Sequence, residues 1–532
     1  MDIDNNGDVY LCGFYNTTAN GGANFGPLPT SPTGFGKEGF VAKADKNGVW
    51  QWVQIAQGGW DERVLGMCVD RINNYVYVTG TCWNQTGFGS CVAPNYPGSS
   101  DEIFLGKFDL NGNCQWLIGA GGPSDDHGFD VVTDKLGNIY LTGLMSNEYQ
   151  PGTQVNCTFG NLSIPVPIGE DSLGYVAKIT PNGIFKWVKT FKATDGERDN
   201  RIAIDDSANV YVAGGFWGNN ANFGNFTGVS AGGVDIFVTK FDSAGNQKWL
   251  KTAGGMYDDR ANAITVDVNG DVYITGEFRD RISFDGDSLN NNGEPNGRDI
   301  FVAKMKRNGN WIWEKKAGSD SGSERGNRII SNSGGNIFVT GQFQDSAKFG
   351  ANLPIISTNG IQVFTASIDT SGTWQWVLQG GGNSDEDRGN ALAADEDCNV
   401  YTCGYYQSTA TFGNESISAL GQKDVFLAKI KEACVDLTPE DDCYSIPNIF
   451  SPNGDQINDD FFVDGICVKE MNLSIFNRWG KLIHEMSSPD AKWDGKIGGN
   501  KAAEGTYFYV GKILRVDGKE IEVKGFLMLM NQ

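Results

Sequence analysis

Seven copies of one short phrase constrain how this chain can fold. Tyr-x-x-Gly occurs at Tyr10–Gly13, Tyr77–Gly80, Tyr140–Gly143, Tyr211–Gly214, Tyr273–Gly276 and Tyr401–Gly404, with Phe338–Gly341 as an aromatic variant. Successive copies start 62 to 71 residues apart. A fixed period of this length belongs to stacked or ring-like units that bury their apolar faces against one another. What recurs in every copy is architecture, so specific chemistry is expected where the repetition fails.

One clean copy shows what the unit is. Ala261–Asp267 and Asp271–Gly276 are alternating apolar runs joined by Asn269-Gly270, which reads as a β-hairpin. Asp299–Lys304, a turn at Asn308-Gly309 and Trp311–Glu314 form a second hairpin. The Phe-Val-Ala-Lys phrase recurs in step from Phe40–Lys43 to Phe426–Lys429, with a Phe-Gly pair between the two phrases. A tryptophan strand follows six times, at Trp52, Trp116, Trp187, Trp249, Trp313 and Trp376. Four strands per unit with no helical periodicity predict an all-β fold, a seven-bladed β-propeller over residues 1–431. An open solenoid is the alternative. Glycine, at 72 of 532 residues, fits many tight turns between short strands.

The seventh copy has no tryptophan strand after Lys429, and no strand precedes Met1. The expectation is that the missing outer strand lies upstream of Met1, with a signal peptide before it. The phrases Asn269–Gly276 and Asp299–Lys304 resemble the bacterial β-propeller repeat family abbreviated SBBP. That resemblance implies the fold and leaves activity open, because propellers host unrelated functions.

Beyond residue 431 the period stops. Residues 432–445 read as a linker, and residues 446–532 as a small Ig-like β-sandwich with alternating strands and glycine turns. Its landmarks are Asn453-Gly454-Asp455 with Asn458 and Asp459, then Arg478-Trp479-Gly480, Trp493-Asp494-Gly495, Glu504–Tyr509 and the final Gly525–Met530. Their order resembles the gliding-motility-associated C-terminal domain, a type B sorting signal for the type IX secretion system. The resemblance implies that this machinery is a partner and that the protein is secreted or held at the outer cell surface.

Composition excludes several functions. A net charge of −23 repels nucleic-acid phosphates. No run of apolar residues is long enough to cross a membrane as a helix. The 11 cysteines include no Cys-x-x-Cys pair, and the two histidines, His127 and His484, lie far apart, which argues against zinc. Cys82 with Cys91, and Cys434 with Cys443, are local pairing options.

Conventional catalytic signatures are absent: there is no Gly-x-Ser-x-Gly elbow, phosphate loop or His-Glu-x-x-His. Acidic–basic clusters precede the first strand of each following unit, at Asp61–Arg63, Asp125–His127, Glu197-Arg198, Asp258–Arg260, Glu324-Arg325 and Glu386–Arg388. Their recurrence favours an inter-blade network, and His127 is the outlier in it. Trp83 and Tyr149, in the less regular second and third units, can stack on sugars or anchor a protein. Asp258 and Arg260 complete the ligand-binding candidates.

Asp2, Asp4, Asn6 and Asp8 match the opening of a calcium loop, without its twelfth-position Glu, and Asn453 with Asp455 form a second oxygen-rich loop. Calcium is therefore the one cofactor considered. The sequence reading is a monomeric, non-enzymatic binding or adhesion protein for a glycan or surface protein. The alternatives are an extracellular lyase or glycosidase, and a purely structural envelope protein.

Overall fold

The computed structural model describes residues 1–17, 23–28, 36–58, 61–83, 86–93, 100–147, 152–167, 172–192, 200–291, 297–319, 322–332, 334–350, 353–382, 386–431, 444–447, 449–452, 459–465, 468–489, 491–515 and 520–530. No helix occurs among them. The chain divides into two compact units, Met1–Val435 and Asp436–Gln532.

The first unit is built from a repeated antiparallel sheet. In the fifth repeat the strands run Arg260–Val266, Val272–Arg279, Arg298–Met305 and Trp311–Gly318, each paired with the next. The same order recurs in every other repeat, except that the seventh shows three strands among the described residues, Arg388–Ala394, Val400–Tyr406 and Asp424–Ile430. The first strands contact one another in sequence around the unit. Asp2–Ile3 of the first repeat touches both Arg63–Asp70 of the second and Arg388–Ala394 of the seventh. The repeats therefore close into a propeller-like ring rather than an open solenoid.

The recurring phrases are the joints of this ring. In the Asn-Gly hairpin, the Asp267 carboxylate accepts the N–H groups of Asn269 and Asp271 at 2.8 and 2.9 Å, and the Tyr273 hydroxyl donates to its other oxygen at 3.1 Å. Tyr10–Asp4, Tyr140–Asp134, Tyr211–Asp205 and Tyr401–Asp395 repeat that bond. The glycine of the phrase is forced by a close backbone approach. A Cβ on Gly276 would lie 1.8 Å from the Arg260 carbonyl oxygen, where the first strand bulges. The tryptophan ties one repeat to the next: the Trp52, Trp187, Trp249 and Trp313 indoles donate to Leu110, Ser243, Arg307 and Thr370 carbonyls in the following repeat's turn.

Burial follows from this geometry. Apolar clusters join the second repeat to the third, the third to the fourth, the fourth to the fifth and the fifth to the sixth. Another joins Ile3, Val9 and Leu11 to Ala393, Tyr401 and Cys403, closing the ring.

One sulfur pairing differs from the local expectation. Cys91 bonds Cys114, in its own repeat's outer strand, while Cys82 is a buried free thiol. The short Gly87–Phe88/Cys91–Val92 hairpin places Cys91 against that outer strand, whereas Cys82 points its sulfur toward the Glu102 carbonyl at 3.5 Å. Cys434 and Cys443 lie outside the described residues.

The second unit is a five-stranded sheet in the order Ile449–Phe450, Glu520–Leu529, Gly505–Arg515, Val468–Asn477, Leu482–Met486. Short pieces cover one face: Phe461 and Trp493 exchange backbone hydrogen bonds at 2.9 Å, and Trp493 is fully buried among Phe450, Leu473, Tyr507 and Leu527.

Candidate binding site

The first strands of the second to seventh repeats begin at Arg63, His127, Arg201, Arg260, Arg325 and Arg388, on one mouth of the ring. The residue before each is fully buried: Glu62, Asp126, Asn200, Asp259, Glu324 and Asp387. These side chains staple neighbouring repeats. Asp126 accepts Gly122 N–H at 2.6 Å from the preceding repeat and Ser146 N–H at 2.9 Å from its own. Asp387 does the same with Gly382 and Gln407, at 2.7 and 3.0 Å. One residue earlier, Asp61, Asp125 and Asp258 accept the N–H groups of Lys37, Asp101 and Val234 at 2.9, 2.9 and 3.0 Å. The acidic–basic clusters are therefore inter-repeat joints. One of them was misplaced in the sequence: Asn200-Arg201 fills the fourth position, and Glu197-Arg198 falls outside the described residues.

Burial sets the chemistry of these acids. It pushes the carboxyl of Asp126 up to about 8, Asp259 to about 8 and Glu324 to about 7. Glu102, beside Asp126, is pushed up to about 9 by burial and by that neighbour. Around the fifth repeat three guanidinium groups converge on one carboxylate. Glu277 is contacted by Arg298 at 2.5 Å, Arg325 at 2.6 Å and Arg260 at 3.9 Å, and Arg260 also reaches Asp258 at 3.6 Å. Desolvation, together with the charges of Arg298, Arg388 and Arg260, lowers the Arg325 pKa against the pull of Glu277. Deeper in the ring Arg328 meets Asp130 at 3.5 Å, linking the sixth repeat to the third.

A cavity of about 490 Å³ opens beside this network, between the fourth and fifth repeats. Trp217, Asn219, Ser230, Gly232, Val234 and Asp258 line it. Trp217 is 49% exposed, and the Lys192 ammonium sits 5.1 Å from its ring centroid. Met256 and Tyr257, next to Asp258, are exposed as well. The loop packs tightly here: a Cβ on Gly232 would strike the Met256 carbonyl at 2.2 Å.

Asp258 and Arg260 thus stand at or beside a cavity. His127 stands apart on the same mouth, with its ring stacked at 5.8 Å on Phe129. Trp83 is half-buried at the end of Tyr75–Trp83, and Tyr149 lies outside the described residues. Trp217 escaped the sequence reading although a signal was present. It is the third residue after the phrase glycine Gly214, the position that Trp83 holds after Gly80.

The calcium-loop residues are engaged by protein partners. Lys43 reaches Asp4 at 3.3 Å and Asp8 at 2.9 Å, while Asp2 accepts Val69 N–H at 2.8 Å and pairs with Arg71 at 3.0 Å. Asn6 is exposed in the turn. The loop has the form of the repeat's other hairpins, with Lys304 and Asp271 paired in the same way at 3.0 Å. Among the described residues no group of three His, Cys, Asp or Glu side chains is arranged to hold a metal.

In the second unit Asn453, Gly454, Asp455 and Asn458 lie outside the described residues, and Asp459 is half-buried. Arg478, Trp479 and Gly480 form an exposed hairpin tip, with the Arg478 guanidinium 4.6 Å from the Trp479 ring centroid. Trp493 is core, Asp494 pairs with Lys496 at 2.6 Å, and Gly495 turns at φ +70° against Pro452 and Leu529.

The first unit is an all-β, propeller-like repeat, and the second is a separate small β domain. Residues 444–529 match the CHU_C Type IX secretion signal domain, so the chain carries an export signal read by type IX machinery and goes to the cell surface or the extracellular space. Uncharacterized WD repeat-containing protein L264 of Acanthamoeba polyphaga mimivirus is 21% identical over 373 residues, 58% of this chain and 27% of that protein. Regulatory protein FlaEY of Caulobacter vibrioides is 25% identical over 151 residues, 28% of this chain and 15% of that protein. The chain thus spans 27% of the first relative's length and 15% of the second's. Among solved structures, the extracellular domain of the hybrid two-component system BT3049 from B. thetaiotaomicron aligns at 9% identity with a TM-score of 0.21, covering 93% of this chain and 66% of that one.

Proposed function

We propose that the exported protein is a non-catalytic binding module whose ligand is a glycan, held in the cavity at Trp217. The carrying observation is the half-exposed Trp217 indole facing a cavity with an amide, a hydroxyl and a carboxylate on its walls. An aromatic face offers its apolar surface to a sugar ring, and the polar groups meet its hydroxyls. Asp258 is the one titratable side chain among the described lining residues, whereas glycoside hydrolysis uses two carboxyl groups flanking one bond.

Purified protein screened against acidic and neutral polysaccharides by affinity electrophoresis tests this reading. Binding without release of fragments is expected, weakened about tenfold or more by Trp217→Ala, a loss of roughly 1.4 kcal/mol. Fragment release would support a lyase or glycosidase instead. Binding indifferent to Trp217→Ala would remove the cavity from the site, and no binding to any glycan would leave the structural role.

A further inference from the structure

The export signal must be read through some part of its surface, and the second unit has a face that stands out. A sheet covered on one side normally alternates apolar and polar residues along each strand. Gly505–Arg515 and Glu520–Leu529 depart from that rule. Their inward residues Tyr507, Ile513, Val523, Leu527 and Leu529 are buried, as expected. The residues between them on the outward face include Phe508, 48% exposed, and Phe526, 55% exposed, with Val510 and Met528 exposed as well.

These side chains are in register. Phe526 pairs with Phe508, Phe508 with Phe476, and Phe476 with Leu482, so one apolar row crosses four strands. Met528 extends the surface to Ile449 on the neighbouring strand. Beyond Leu482, the hairpin tip carries Trp479, 77% exposed. Isolated surface apolar residues are ordinary, whereas a contiguous row marks an interaction site.

We infer that this row, Phe526–Phe508–Phe476–Leu482 with Trp479 at its end, is the surface by which the type IX export machinery recognises the signal domain. The partner presents a complementary apolar, aromatic-accepting protein surface. The match of residues 444–529 to a secretion signal domain gives this unit one known duty, which is to be bound by that machinery. Charge points the same way. Residues 444–529 hold ten Lys and Arg against twelve Asp and Glu, close to neutral, in a chain of net charge −23. Recognition here rests on apolar contact, with little electrostatic steering.

The test uses the full chain, produced in a type IX-secreting bacterium and followed by cell fractionation. Phe508→Thr with Phe526→Thr, and separately Trp479→Ser, are expected to cut the exported fraction at least fivefold and leave protein inside the cell. Lys512→Thr, on an exposed ion pair of the same sheet, is the control and should export normally. The purified double variant should melt at the parental temperature, because both side chains are on the outside. Normal export of both apolar variants would overturn the inference. So would a lowered melting temperature of the double variant, which would make the row an internal packing surface. A parental dimer that the substitutions dissociate would assign the row to self-association instead.

Discussion

At the residue scale, the buried acids carry the most exposed consequence of this fold. Glu102 and Asp126 face each other across a joint between two repeats, with carboxyl groups pushed up to about 9 and about 8. Unfolded carboxyls titrate near 4. The folded form therefore holds protons that the unfolded form releases, and stability present at low pH is lost as pH rises from about 4 through 8 to 9. Melting temperature should fall steadily between pH 5 and pH 9, and Glu102→Gln should recover on the order of 1 to 3 kcal/mol of the alkaline loss. Gln362 already occupies the equivalent place opposite Asp387, where its amide donates to Gly382 O at 3.1 Å. A melting curve of Glu102→Gln as steep in pH as the parent's would show that the pair is not the titrating element. The clusters were legible in the sequence because they recur. That their second acid is buried was not, since Asp125 and Asp126 look alike in a string of letters and differ only in which repeat closes over them.

Elements were legible wherever a turn or a packing contact repeats. Tyr273, Gly276, Lys304 and Trp313 each make one contact that recurs around the ring, so the periodic phrases predicted the strands and their order. What the period could not show was a contact made once, such as Cys91–Cys114 or the cavity at Trp217.

The seventh sheet supplies a prediction at this scale. In the other six, the third-strand residue at the lysine position faces a tryptophan, as Lys304 faces Trp313. That indole rests on the next repeat's turn glycine: Gly112, Gly245, Gly309 and Gly372 each lie against one. Gly48, the corresponding turn of the first repeat, has nothing within 4 Å of its Cβ position, and Val425 on the seventh repeat's third strand is exposed. Encoding a copy of Gln247–Ala263 ahead of Met1 places a tryptophan strand in reach of both. The expected outcome is a rise in melting temperature of several degrees, with quenched fluorescence of the added indole. An unchanged melting temperature would show that the Asp424–Ile430 edge does not accept a fourth strand.

For the whole molecule, the export signal lies in the second unit, and the cavity proposed to hold a ligand lies in the first. The ring of the first unit closes on itself through the cluster joining Ile3, Leu11, Ala393 and Tyr401. The second has its own core around Trp493. The order of short motifs from Arg478-Trp479-Gly480 to Gly525–Met530 was enough to expect an export domain, because several turn and core residues must coincide for that sheet to form. The outward row was not legible from the same letters, since Phe508 and Tyr507 are both large aromatics and only the pleat separates exposed from buried.

The division of labour predicts that deleting residues 444–532 stops export without unfolding the rest. In a type IX-secreting bacterium the truncated chain should accumulate inside the cell, almost absent from the surface and medium. Purified from those cells, it should keep its cooperative melting transition within a few degrees of the parent and bind the same polysaccharides. Appearance of the shortened chain in the medium would place an export determinant in the ring. Loss of its melting transition would show that the ring depends on the domain that follows it in sequence.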